Sequence, residues 1–90
     1  MSERVLVVDD EKAIADIIKY NLEKEGYMVD LAYDGEEAVE KIKISEPHLL
    51  VLDIMMPKKD GFQVLKEIRP FFKFPVIVLT AKEEEVDKVL

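Results

Sequence analysis

Two wholly apolar runs that each stop at an aspartate constrain this chain more than any other feature. Val5-Leu6-Val7-Val8 ends at Asp9-Asp10, and Leu49-Leu50-Val51-Leu52 ends at Asp53. Four consecutive apolar residues with no polar alternation suit a strand buried on both faces, the signature of a parallel sheet. Val76-Ile77-Val78-Leu79 repeats the pattern and closes in Thr80-Ala81, and Met28 to Ala32 is a shorter strand-like run.

Helical spacing fills the intervals. Ile14, Ile17, Ile18, Tyr20 and Leu22 mark an amphipathic helix from Glu11 that Gly26 stops. Asp34, with Glu37 three positions on, caps a second helix carrying Ala38, Val39, Ile42 and Ile44. Asp60 with Gln63 caps a third, where Phe62, Val64, Leu65 and Ile68 share a face and Pro70 ends it. Glu83 to Leu90 begins a fourth, with Val86, Val89 and Leu90 on one side. Strands alternating with helices predict an α/β domain with a parallel sheet, because each return to a parallel strand needs a crossover helix. At 90 residues the chain has room for a single domain spanning 1–90.

Charge and composition narrow the function. A formal charge of −7 repels nucleic-acid backbones and anionic lipid, so no direct nucleic-acid binding is expected. No apolar run approaches membrane-span length, and the absence of cysteine removes thiolate nucleophiles, disulfides and sulfur-built zinc sites. The expectation is a soluble, cytoplasmic protein with no membrane association.

In open parallel sheets, ligands bind beyond the carboxyl ends of the strands. Asp9, Asp10, Asp53 and Thr80 all fall at such ends. Two carboxylates about 5 Å apart repel by roughly 3 kcal/mol at an effective dielectric of 20, so their gathering asks for a compensating cation. Mg²⁺ suits them, since it takes one or two carboxylates, keeps waters and binds phosphate oxygens. One of the carboxylates could then act as a nucleophile and form an aspartyl phosphate, with the Thr80 hydroxyl donating to a phosphoryl oxygen. Capping offers another reading for two of these residues: Asp10 as N-cap of the first helix, and Thr80 with Glu83 as a capping box. It does not explain Asp53, which precedes Ile54-Met55-Met56-Pro57. His48, following Pro47, reads as a surface or packing residue.

VLVVDDE at Val5 to Glu11, LLVLDIMMPKKDGFQVLKEIR at Leu49 to Arg69 and PVIVLTAK at Pro75 to Lys82 resemble receiver domains of two-component response regulators, in family order and spacing. The resemblance implies a flavodoxin-like sheet of strand order 2-1-3-4-5, the order for which chemotaxis receivers are the standard example. It also implies Asp53 as phosphoacceptor, Asp9 and Asp10 as the acidic pair holding Mg²⁺, and Met55 as the residue lending a backbone carbonyl to the metal. Thr80 becomes the switch hydroxyl, Ala81 the small residue beside the phosphoryl group, and Gly61 the turn before the third helix. A sensor histidine kinase is the implied phosphoryl donor, and the sequence style is similar to that of winged-helix transcription regulators. The implied protein is a signalling switch rather than a turnover enzyme.

Receivers continue through a fifth strand and fifth helix, with a lysine that contacts the phosphoryl group, and no residue here corresponds to that lysine. The expectation is therefore a truncated receiver whose fourth strand is an exposed apolar edge, available for self-association. Two rival readings stand beside it. An inert receiver-derived module would have lost its signalling. A Mg²⁺-dependent phosphatase would need a second acid two positions beyond the nucleophile, where this chain has Met55.

Overall fold

The apolar runs become the centre of one sheet. The computed structural model describes residues 3–79 and 88–89. It contains β1 (Arg4–Val8), α1 (Lys12–Lys24), β2 (Met28–Ala32), α2 (Gly35–Ile44), β3 (Leu49–Asp53), α3 (Gly61–Ile68), β4 (Val76–Leu79) and β5 (Lys88–Val89). The sheet order is β2-β1-β3-β4-β5, with β1 to β4 mutually parallel. This is the flavodoxin-like order expected for its first four strands. Val8 pairs with both Ala32 and Leu52, and Asp53 pairs with Leu79, so β1 and β3 run side by side and end at the same edge.

Successive strand side chains point to opposite faces, so the central runs supply two cores at once. Leu6, Val8, Leu50, Leu52, Val76 and Val78 face α2 and α3, where Ala38, Val39, Ile42, Val64 and Ile68 meet them. Val5, Val7, Leu31 and Val51 face α1, which contributes buried Ala15 and half-buried Ile18 and Leu22.

Helix termini follow the sequence closely. The Asp34 carboxylate accepts from Glu37 N at 2.8 Å. Asp60 and Gln63 form a reciprocal capping box. Gly26 takes φ +96°, a left-handed stop after α1, and its N–H donates to Glu23 O.

Three expectations need correction. Ile14, Ile17 and Tyr20 do not belong to the buried face of α1, being 41%, 60% and 65% exposed. A helix lying alone on a sheet buries one stripe, and at 100° per residue Ala15, Ile18 and Leu22 already fill it. Ile44 and Phe62 are likewise exposed, beyond the stripes that α2 and α3 press on the sheet. The third correction concerns the C-terminal segment. Residues 80–87 and 90 lie outside the described residues, but Lys88–Val89 form a strand rather than the expected helix. That strand pairs antiparallel with β4, Ile77 with Val89 and Val78 with Lys88, so the outer edge of β4 is not bare there. An open strand edge is a template for any returning segment, and here Lys88–Val89 supplies one. The parallel fifth strand implied by the resemblance is not among the described residues.

Candidate functional site

Asp9 stands one residue past β1, where its N–H donates to Ala32 O at 3.1 Å and prolongs the ladder. Asp53 is the last residue of β3, and the next amide, Ile54 N, donates to Leu79 O at 3.1 Å. Backbone pairing therefore holds both positions at the carboxyl edge of the sheet. Carboxylate oxygens of Asp9, Asp10 and Asp53 lie within 4.8 Å of one another. Asp9 is 4% exposed and Asp53 8%, while Asp10 is exposed.

Each buried aspartate has one oxygen tied down. Asp9 Oδ1 accepts from Glu11 N at 2.9 Å, and Asp53 Oδ1 accepts from Met55 N at 3.0 Å. These amides steady the carboxylates without neutralising them. Burial pushes the Asp9 and Asp53 carboxyls above their ordinary values, the single amide bond opposes this, and the neighbouring acids add to it. Among the described residues, the ion pairs engage Lys41 and Lys59 and none reaches these three acids.

Uncompensated negative charge on hard oxygen donors, half buried and half open to water, fits Mg²⁺. Asp9, Asp10 and Asp53 supply the carboxylates. No hydrogen bond among the described residues ends on the Met55 carbonyl, which leaves that oxygen available as a further donor. Capping does not account for Asp10: α1 has Glu11 at its N-cap position, with no side-chain capping bond. Thr80 and Ala81 lie outside the described residues.

Gly61 has a tighter role than the turn expected for it. It is the first residue of α3, its N–H donates to Ile54 O at 3.1 Å, and a Cβ there would sit 2.9 Å from both Asp53 O and Ile54 Cα. The helix thus crosses directly behind the Asp53 backbone. Gly61→Ala is expected to force these backbones apart and lower stability by about 1–3 kcal/mol, the usual range for overpacking, read as a drop in urea midpoint. An unchanged midpoint would contradict the close approach. In the turn before it, Lys58 takes φ +64°, a conformation that a side chain makes unfavourable.

Sequence reading missed the amides of Glu11 and Met55. The signal was there, since aspartate commonly accepts from the backbone two residues on. His48 is exposed, the surface alternative of its sequence reading: its Nδ1 accepts from Arg4 N at 2.8 Å and its backbone N–H donates to Arg4 O at 2.8 Å. These bonds extend the pairing of β1 and β3 at the edge opposite the acids.

The family model described as response regulator receiver domain matches residues 5–90. Solved structures agree. The receiver domain of a Francisella response regulator is 40% identical, with a TM-score of 0.85 over 91% of this chain and 69% of its own. The N-terminal domain of a response regulator receiver protein from Methanoculleus marisnigri is 40% identical, with a TM-score of 0.84 over 89% of this chain and 68% of its own. The response regulator TrrA from Thermotoga maritima, solved in complex with Mg(2+)-BeF, is 43% identical, with a TM-score of 0.85 over 91% of this chain and 72% of its own.

Proposed function

The chain belongs to the response regulator receiver domain family, and from that premise we propose that it is the phosphoacceptor module of a two-component system, phosphorylated on Asp53 by a sensor histidine kinase in a Mg²⁺-dependent step. The observation that carries this reading is the convergence of three carboxylates, two of them buried, with no cationic side chain paired to them among the described residues. An inert module has no use for so costly an arrangement.

The residues divide the work. Met55 N–H holds one Asp53 oxygen, leaving the other to attack phosphorus. As the new O–P bond forms, the P–N bond of the donor phosphohistidine breaks and its electron pair returns to the imidazole. Asp9 and Asp10 would hold the metal, and the Met55 carbonyl would add a neutral oxygen. When bound, Mg²⁺ supplies positive charge that offsets the carboxylates and the phosphoryl oxygens. The product adds about 1.5 to 2 negative charges at the sheet edge, which the Thr80 hydroxyl meets as a hydrogen-bond donor, biasing a two-state rearrangement of the adjoining loop. The protein is then a switch read by another surface, and the sequence style favours an output in transcription. Among the described residues no helix is long and apolar enough to cross a membrane; a cytoplasmic location is part of the proposal.

Intact-mass spectrometry after incubation with acetyl phosphate and Mg²⁺ tests the proposal. A single phosphoryl adduct that disappears with chelator is expected. A folded chain that gains no adduct, or gains one regardless of chelator, contradicts it.

A further inference from the structure

β2 is the outermost strand on its side of the described sheet, so one row of its backbone groups faces away from β1. Met28 N–H donates to Glu3 O at 2.9 Å and Ala32 O accepts from Asp9 N at 3.1 Å, which places the even-numbered residues on the β1 side. In a parallel ladder the intervening residues, Val29 and Leu31, then turn both N–H and C=O outward. Such a row is a template for strand addition.

Leu31 is closed on both counts. Its N–H donates to Asp30 Oδ1 at 2.9 Å, and its carbonyl accepts from Lys41 Nζ at 2.6 Å. Lys41 also reaches Asp30 Oδ1 at 3.3 Å and Glu37 Oε2 at 3.4 Å, so the ammonium from α2 is fixed across the strand edge. Burial alone would push that ammonium down, yet Asp30 and Glu37 hold it above its ordinary value. Val29 has no such cover among the described residues, and beside it lies a cleft of about 140 Å³ lined by Met28, Val29, Asp30, Lys41 and Pro47 among others. Met28 is 57% exposed at its mouth. Apart from Lys41 and Asp30, this edge is ready to pair.

We propose that Lys41 and Asp30 form a guard that closes the outer edge of β2 to a second copy of this chain. The occupant kept out is specific. An antiparallel, two-fold pairing of β2 with β2 centred on Asp30 would set Val29 against Leu31 of the other copy, the only outward backbone groups in the strand. It would also set Asp30 against Asp30, and like charges directly opposite are unfavourable. Lys41 removes the Leu31 carbonyl from pairing, and Asp30 removes the amide and adds the repulsion.

The test compares wild type, Lys41→Arg and the double variant Asp30→Ala with Lys41→Met by size-exclusion chromatography with light scattering, together with amide hydrogen exchange at Val29 and Leu31. Wild type and Lys41→Arg are expected to keep Val29 unprotected, with Leu31 exchanging at least tenfold more slowly than Val29. The double variant is expected to double its mass as concentration rises and to gain at least tenfold protection at Val29. A double variant that stays at the wild-type mass, or associates without protecting Val29, overturns the proposal. So does a wild type already protected at Val29. Should the double variant fail to fold, exchange in the wild type decides, since equal rates at Val29 and Leu31 also refute the guard.

Discussion

Asp53→Asn is expected to abolish phosphoryl uptake and at the same time to raise the thermal midpoint of the metal-free protein. The first effect follows from removing the attacking carboxylate, and the second from removing a charge that the fold tolerates poorly. Asp53 is 8% exposed, and one of its oxygens lies within 4.8 Å of an oxygen of Asp9 and of Asp10. Two unit charges at about 5 Å repel by roughly 3 kcal/mol at an effective dielectric of 20, an upper bound here because Asp10 is open to water. Asparagine keeps the size and can still accept from Met55 N. A gain of about 1–3 kcal/mol in chelator is therefore expected, at roughly 4–8 °C per kcal/mol for a domain of this size. Mg²⁺ should raise the midpoint of the wild type and lose most of that effect on the variant.

The pH dependence fixes the sign. The folded-state carboxyls of Asp9 and Asp53 are raised above the ordinary value of 3.8, so between 3.8 and the raised value the folded state binds more protons than the unfolded chain. Metal-free stability contributed by these groups falls as pH rises through that window and stays low above it. The advantage of Asp53→Asn over wild type should be small below the window and full at neutral pH. An advantage that shrinks as pH rises would contradict the burial argument.

Leu52→Ala is expected to cost about 2–5 kcal/mol, the usual range for emptying a leucine site in a packed core. Leu52 is fully buried, and its strand neighbours are Val8 and Val78. It belongs to the cluster beneath α2 and α3, and it directly precedes the proposed phosphoacceptor. Domains of 90 residues have about 4–13 kcal/mol in total, so this one change removes a large share or unfolds the chain. Urea unfolding reads it as a lowered midpoint at unchanged slope. A loss under about 1 kcal/mol would mean that Leu52 is not closely packed.

Much of this was legible from the chain alone because the informative residues act locally. An apolar run ending in an acid fixes both a strand and the edge at which its acid emerges, so Asp9 and Asp53 were placed once the parallel order was known. Asp34 and Asp60 cap helices through contacts three residues away, which sequence shows directly. What sequence did not show depends on how much of each helix the sheet can cover. Ile14, Ile17 and Tyr20 have helical spacing but fall off the single stripe that α1 buries. The Lys88–Val89 strand was missed because valine and lysine at that point fit a helix as well, and only the open edge of β4 selects the extended form. Gly61 was recognised as a turn residue, yet its close approach to the Asp53 backbone is a tertiary contact no local pattern reports.

Asp53 itself is expected to carry the phosphoryl group. The most direct measurement is borohydride trapping after acetyl phosphate and Mg²⁺ treatment, since borohydride reduces an acyl phosphate to an alcohol, followed by peptide mapping. Homoserine is expected at position 53, only when Mg²⁺ was present. Homoserine at Asp9 or Asp10, or at no position in a folded chain, would contradict it.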